Sequence, residues 1–322
     1  MITLRRALVF GALSLFVFGP LGACARRGKS QAAPSASGLP APVASGFPAA
    51  ELVSEQVNPN AQKAYDGPVG TVRGRVVATG DAPIAQPEVV AKIPPNCAKA
   101  VAPYSKLFRE GPGRALADVL VTATRYQGYL PEKSAGVRVE ADGCFWGTRT
   151  IAVTYGQRLE IVSKDDNSYV PELLGERGQP QIVATPHEAA TSTVLPTEPG
   201  RFVLVDNLRL FMTAEVLVLK YPTHAVTGLD GRFEIPNVPV GKVTVSSYLP
   251  QTRAAQERSV TVEAGKATEE IVFELPFDAA AYARALAEFK SHTPGGASAA
   301  PSASVRPPAP TVRAPASSAA PR

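Results

Sequence analysis

Val226-Thr227-Gly228-Leu229-Asp230-Gly231-Arg232-Phe233-Glu234-Ile235-Pro236-Asn237-Val238-Pro239-Val240-Gly241-Lys242-Val243-Thr244-Val245 alternates turn chemistry with short strands. Phe233 and Ile235 fall on one face of an extended segment, with Arg232 and Glu234 on the other, and Val243 and Val245 repeat the pattern. Asp230-Gly231 supplies a residue that tolerates positive φ, and Pro239 followed by Gly241 does the same with a preset φ before it. Both read as tight hairpin turns.

The same grammar extends through the middle of the 322-residue chain. Strands are predicted at 71–78, 116–125, 137–140, 148–153, 158–163, 201–205, 214–219, 232–235, 242–248, 258–262 and 269–274. They are rich in Val, Ile, Thr and Leu, and turns such as Tyr155-Gly156 and Ala264-Gly265 separate them. No helix of crossover length lies between them, which excludes a parallel α/β sheet and predicts an all-β fold of Greek-key sandwich type. One helix is expected at 277–290, with Asp278 as N-cap and Tyr282, Leu286 and Phe289 on one face. A helical turn is expected at 61–65.

Two resemblances emerge. Gly70-Thr71-Val72-Arg73-Gly74-Arg75-Val76-Val77 together with the opening stretch, and the strands at 259–262 and 271–273 around Ala264-Gly265-Lys266, resemble carboxypeptidase regulatory-like (transthyretin-like) domains. That resemblance implies a β-sandwich that contacts proteins or carbohydrates, not a peptidase. Gly143-Cys144-Phe145, Gly156-Gln157-Arg158-Leu159-Glu160-Ile161 and Asp165-Asp166 resemble plastocyanin-like (cupredoxin-like) proteins. In that family one His follows the second motif, and a later loop supplies Cys, His and Met to copper. Soft sulfur and imidazole donors suit that metal. In this chain the first His position falls near Val170, the Cys position on Asp206 and the second His position on Arg209, leaving Met212 alone. The resemblance therefore implies the scaffold without the copper: no cofactor is expected, Met212 is expected in the core, and Asp206 and Arg209 read as a surface ion pair of little energetic weight, with a functional polar patch there as the alternative.

The two resemblances leave two arrangements open. The cupredoxin-like segment is either an insertion, at roughly 82–222, into a regulatory-like sandwich whose first strand is 71–78, or the first of two sandwiches in series. The boundaries read as a cupredoxin-like sandwich at 68–222, with the strand at 71–78 open to sharing with the next unit, regulatory-like strands at 223–276, a helix at 277–291 and a Pro/Ala/Ser tail at 292–322. Contact between 72–76 and 233–245 distinguishes insertion from series.

The ends carry a different message. Arg5-Arg6, an apolar run from Ala7 to Phe18 and small residues beyond it have the layout of a secretory signal peptide, expected at 1–23. Leu21-Gly22-Ala23-Cys24 resembles the lipobox of bacterial lipoproteins, which implies lipid on Cys24, a membrane anchor and a cell-envelope location. Ala25 in the next position implies the outer membrane. Residues 24–67 and 292–322, poor in bulky apolar side chains, are expected to be a disordered stalk and tail.

Charge narrows the partners. Residues 51–275 hold 23 Lys and Arg against 26 Asp and Glu, about −3, so the formal +5 of the chain resides in its ends. A nucleic-acid partner needs a clustered basic face and is not expected. The chain has three Cys. With Cys24 assigned to lipid, Cys97 and Cys144 of an exported chain are either a disulfide, the preferred reading, or two buried thiols.

No Gly-x-Ser-x-Gly elbow, Walker loop, HExxH or dinucleotide fingerprint occurs. The three histidines, His187, His224 and His292, have no ligand spacing and read as surface or turn residues. Asp165-Asp166-Asn167 with Glu172 reads as a solvated turn rather than a calcium loop, and Phe145-Trp146 as core. The expectation is a non-enzymatic binding or structural module at a membrane, its partner another envelope protein or a glycan. The competing expectation is a metal-handling or electron-transfer protein with an unusual site built on Met212, Asp206 and His187 or His224. A hydrolase with an unrecognised site has no constellation behind it.

Overall fold

The computed structural model describes residues 48–175, 181–182 and 191–292. The expected signal peptide, Cys24, the stalk up to residue 47, His187 and the tail from residue 293 lie outside the described residues. In chain order the elements are α1 (Ala50–Val57), β1 (Val69–Gly80), α2 (Pro87–Val90), α3 (Val101–Tyr104), β2 (Leu120–Thr124), β3 (Gly136–Ala141), β4 (Thr150–Thr154), β5 (Arg158–Ser163), β6 (Pro171–Gly175), β7 (Gln181–Ile182), β8 (Thr191–Val194), β9 (Gly200–Asp206), β10 (Arg209–Leu219), β11 (His224–Val226), β12 (Arg232–Pro239), β13 (Gly241–Leu249), β14 (Ala254–Val262), β15 (Ile271–Phe277) and α4 (Ala279–His292).

These strands form two sandwiches. In the first, the sheet β12-β1-β15 faces the sheet β11-β2-β13-β14. Val72, Val76, Phe233, Ile235, Phe273 and Leu275 from one sheet meet Val121, Val243, Val245 and Leu249 from the other in a shared core. In the second, β3-β5-β8 faces β4-β10-β9-β6-β7. Leu159, Ile161, Trp146, Leu204, Met212 and Val216 fill its interior. Leu120, Ala152 and Leu217 form a small apolar cluster linking the two. In the second sandwich, formed by the segment read as cupredoxin-like, β3 runs parallel to β5, β4 runs parallel to β10, and β10 pairs antiparallel with β9.

The chain order explains how one sandwich sits inside the other. β1 pairs antiparallel with β12, Val72 opposite Ile235, and parallel with β15, Gly74 opposite Ile271. The chain leaves its sheet at Thr124 and returns beside the point of departure, His224 opposite Thr122. The boundaries at 68 and 222 therefore need correction. β1 and β2 both pair with strands that follow residue 222, and the cupredoxin-like strands occupy only 136–219.

The expected turns also take a different role. Asp230-Gly231 and Pro239-Val240-Gly241 have the expected backbone, Gly231 at φ 69° and Gly241 at φ 113°, and the Asp230 carboxylate accepts a bond from Arg232 N at 3.0 Å. A Cβ on Gly231 would stand 2.5 Å from the Val76 carbonyl oxygen, so the position needs glycine on both counts. Yet neither turn closes a hairpin. Each carries the chain from one sheet of the sandwich to the other, β11 to β12 and β12 to β13. Turn chemistry specifies a reversal of direction, not the sheet that the next strand joins.

Two local expectations fail within the stalk. Residues 50–57 are helical, with Val53 and Val57 packed on the cupredoxin-like core and Gln56 Oε1 accepting from Lys220 Nζ at 3.1 Å. Residues 61–65 are not helical, and Ala64 instead bridges to Tyr129. At the other end α4 begins as expected: Asp278 accepts from Ala281 N at 2.8 Å and Tyr282 packs on Phe277. Near its end Phe289 is 48% exposed.

Candidate functional site

At one pole of the cupredoxin-like sandwich, β9 ends at Asp206 and β10 starts at Arg209, the two residues facing each other across the turn Asn207-Leu208. A connection this short leaves no loop on which to space several ligands. Asp206 is fully buried. Its Oδ1 accepts from Val170 N at 2.7 Å, and its Oδ2 from Arg209 Nη1 at 2.9 Å. The same guanidinium donates to the Ser168 carbonyl at 2.9 Å and to Asn167 Oδ1 at 3.3 Å, and its carbon lies 5.3 Å from the centre of the Tyr169 ring. The pair is interior, not the surface contact expected from the sequence; Arg209 keeps only 14% of its side-chain surface exposed.

A second carboxylate continues the network. Asp165 accepts from Tyr169 Oη at 2.8 Å, from Asn167 N at 3.0 Å and from Gly143 N. Burial opposes its ionisation, but the bonds from Asn167, Gly143 and Tyr169 together outweigh that and hold its carboxyl below the usual range. Burial pushes the Tyr169 hydroxyl up, so it stays protonated, donating to Asp165 and accepting from Cys144 N at 3.2 Å. Cys144 is disulfide-bonded to Cys97, which ties the segment before α3 to the pole. The oxygen-rich turn at Asp165 is thus committed to its own chain, and no cluster suited to a metal ion occurs among the described residues.

No protein-family model matches the chain, and no curated protein matches it. Among solved structures it is similar to a mutant of amicyanin in its Cu(I) form, at 17% identity over 27% of this chain and 85% of that one, TM-score 0.24. It is likewise similar to a reduced mutant of amicyanin at 18% identity, 27% and 85% coverage and TM-score 0.24. A second reduced mutant matches at 14% identity over 30% of this chain and 98% of that one, TM-score 0.22. Likeness this remote says nothing of copper or activity in this chain.

The fit of these residues to copper is a matter of their donor chemistry. A cupredoxin-type centre needs a thiolate and two neutral imidazoles. Here Val170 offers a backbone N–H, Asp206 has both oxygens occupied, and Arg209 is a cation without a free lone pair. Met212 is fully buried, and its carbonyl accepts from Trp146 Nε1 at 3.1 Å. These residues do not fit copper. The positive charge at this pole belongs to Arg209.

The junction of the two sandwiches carries the other polar constellation. Asp118, 1% exposed, receives a bidentate grip from Arg109, both bonds 2.6 Å, with further bonds from Thr148 Oγ1 at 2.9 Å and Arg149 N at 2.8 Å. Arg109 also stacks over Phe145, its guanidinium carbon 5.0 Å from the ring centre. His224 is half-buried rather than on the surface, its Nε2 3.3 Å from Thr154 Oγ1, which donates to Glu132 at 2.8 Å. Burial lowers the imidazole pKa, and the nearby Glu132 opposes that weakly. The Thr hydroxyl proton is directed at a carboxylate, so this is no nucleophile–base pair. Nothing in sequence announces Arg109 and Asp118, which belong to no motif. His187 lies outside the described residues.

Proposed function

We propose that the chain is a non-enzymatic binding or structural module, exported by its signal peptide and held in the cell envelope by lipid on Cys24, with the outer membrane as its site. The observation that carries the reading is the closure of the pole. Both oxygens of Asp206 and the guanidinium of Arg209 are bonded within the chain, so the scaffold offers neither an open coordination position nor a free acid–base pair there. The lipobox Leu21-Gly22-Ala23-Cys24 supports the anchor, since the multiple acyl chains of that family meet the requirement for stable attachment. The slight negative charge of 51–275 argues against nucleic acid as partner. Another envelope protein or a glycan remains the class of partner.

Copper titration of the full chain separates this reading from metal handling. No stoichiometric binding is expected. Stoichiometric binding that disappears in Met212→Ala would replace the reading with a metal-handling one. Fractionation tests the anchor: Cys24→Ala is expected in the soluble fraction, and its retention in membranes would overturn the lipid attachment. A pull-down from membrane fractions then identifies the partner.

A further inference from the structure

We propose that an extended peptide segment of a partner protein binds in the cleft between the two sandwiches, adding as a strand to the free edge of β3; the proposal rests on the binding-module reading above. Among the described residues β3, β4 and β11 each stand at the edge of their sheet, and all three line one cleft of about 530 Å³.

The hydrogen-bond parity of these strands is fixed by their ends. Ala135 O accepts from Arg158 N and Ala141 O from Lys164 N, at 3.2 and 2.8 Å. In a parallel ladder the alternate residues point the other way, so the N–H and C=O groups of Arg138 and Glu140 face away from β5. Gly147, which lines the cleft, would carry its Cβ 3.4 Å from Glu140 O, consistent with that direction. On β4, Arg149 O accepts from Glu215 N at 2.9 Å and Tyr155 N donates to Leu219 O at 2.7 Å, so Ala152 turns its backbone groups away from β10. On β4 the Thr148 hydroxyl bonds both Thr150 N and Thr150 O, and Gln157 Oε1 accepts from Thr154 N, so the edge of β3 and the single position Ala152 of β4 border the same space.

A second observation points to an absent partner. Thr150 is fully buried, lines the cleft, and its Oγ1 has no hydrogen-bond partner. A buried hydroxyl left unbonded is destabilising until something supplies the bond.

The chemistry of the lining selects the ligand class. Arg138 is neutralised by Glu140 at 3.0 Å and Arg109 by Asp118 at 2.6 Å, so the walls offer no net charge to a phosphate or polyanion. Burial keeps His224 neutral near pH 7. Sugars bind on exposed aromatic faces, and Trp146, the large aromatic of the cleft, is 1% exposed. Unpaired backbone groups beside Val137 and Val226 match an extended polypeptide, the pairing used in strand addition.

The test pans random decapeptides against the full chain and measures the enriched peptides by fluorescence anisotropy. Arg138→Pro removes the outward N–H, which the β3–β5 ladder does not use, and an edge strand tolerates it. The expected loss of affinity is about tenfold or more for Arg138→Pro, with Arg138→Ala within about threefold of wild type. Thr150→Val should weaken binding while raising the melting temperature. Should Arg138→Pro not fold, slowed amide exchange at Arg138 and Glu140 on adding the peptide gives the same answer. No enriched peptide, or peptides that bind Arg138→Pro like wild type, overturns the proposal, as does a glycan-array signal lost in Thr150→Val. If Arg138→Pro captures nothing with the peptides yet keeps every partner in the membrane pull-down, the cleft fails and the binding-module reading stands.

Discussion

Arg209 Nη1 sits 2.9 Å from Oδ2 of the fully buried Asp206, and the two residues hold together the short connection between β9 and β10. The relationship is one of neutralisation: the guanidinium supplies the countercharge of a carboxylate that has no contact with solvent.

Arg209→Ala leaves a buried carboxylate without its countercharge. The expected loss of stability is about 3–5 kcal/mol, read by chemical denaturation. Replacing both residues by Leu should recover most of it, since no uncompensated charge then remains. A double variant as unstable as the single one would show that the pair acts through its other bonds, those to Val170 and Ser168.

Asp165 ties acid stability to the pole. Its folded pKa lies below that of the unfolded chain, so the folded state holds the carboxylate and gains stability above the unfolded value, about 3.9. That gain is lost as pH falls through the folded pKa. Asp165→Asn is therefore expected to be less stable at pH 7 yet to lose less on acidification to pH 3, checked by melting temperature against pH.

His224 acts in a higher window. Burial lowers its pKa, so as pH falls below about 6.5 the unfolded chain takes up a proton that the folded chain resists. Stability should decline from that point downward. Glu132 and Thr154 are the polar groups facing the ring, and His224→Gln should flatten the decline without altering the acid limb set by Asp165.

The Cys97–Cys144 bridge closes 47 residues of sequence, from before α3 to the β3–β4 connection. Reduction, or Cys97→Ala with Cys144→Ala, is expected to destabilise by about 4 kcal/mol on the chain-entropy scale. Because β2 of one sandwich and β3 of the other both lie inside that loop, denaturation of the reduced chain should become less cooperative.

Met212→Ala removes a fully buried side chain from the cupredoxin-like core. The expected cost is about 2–5 kcal/mol, and Met212→Leu should stay within about 1.5 kcal/mol. Equal stability of Met212→Ala and wild type would remove Met212 from the core's energetic account.

How far these residues could be read in advance depends on range. The strands with clean alternation, Arg158–Ser163 above all, were legible because period two and a bounding turn are local facts. β6, β8 and β11 were not. Each is five residues or fewer, and β11 owes its extended state to β2, a hundred positions earlier. The identity of Asp206 and Arg209, neither of them a Cys or a His, was equally local. Their burial was not, because it is Val170 N, Ser168 O and the Tyr169 ring that enclose them.

By itself, then, the sequence determined an all-β chain, its turn positions, the residue types at the sandwich pole and the composition of its ends. The tertiary structure decided which sheet each strand joined, that the cupredoxin-like strands sit between β2 and β11, and that three strand edges meet at one cleft. The reason is physical: periodicity and backbone preference act over a few residues, whereas sheet membership is chosen by hydrogen bonds and apolar contacts between strands nearly two hundred residues apart, as in Gly74 opposite Ile271.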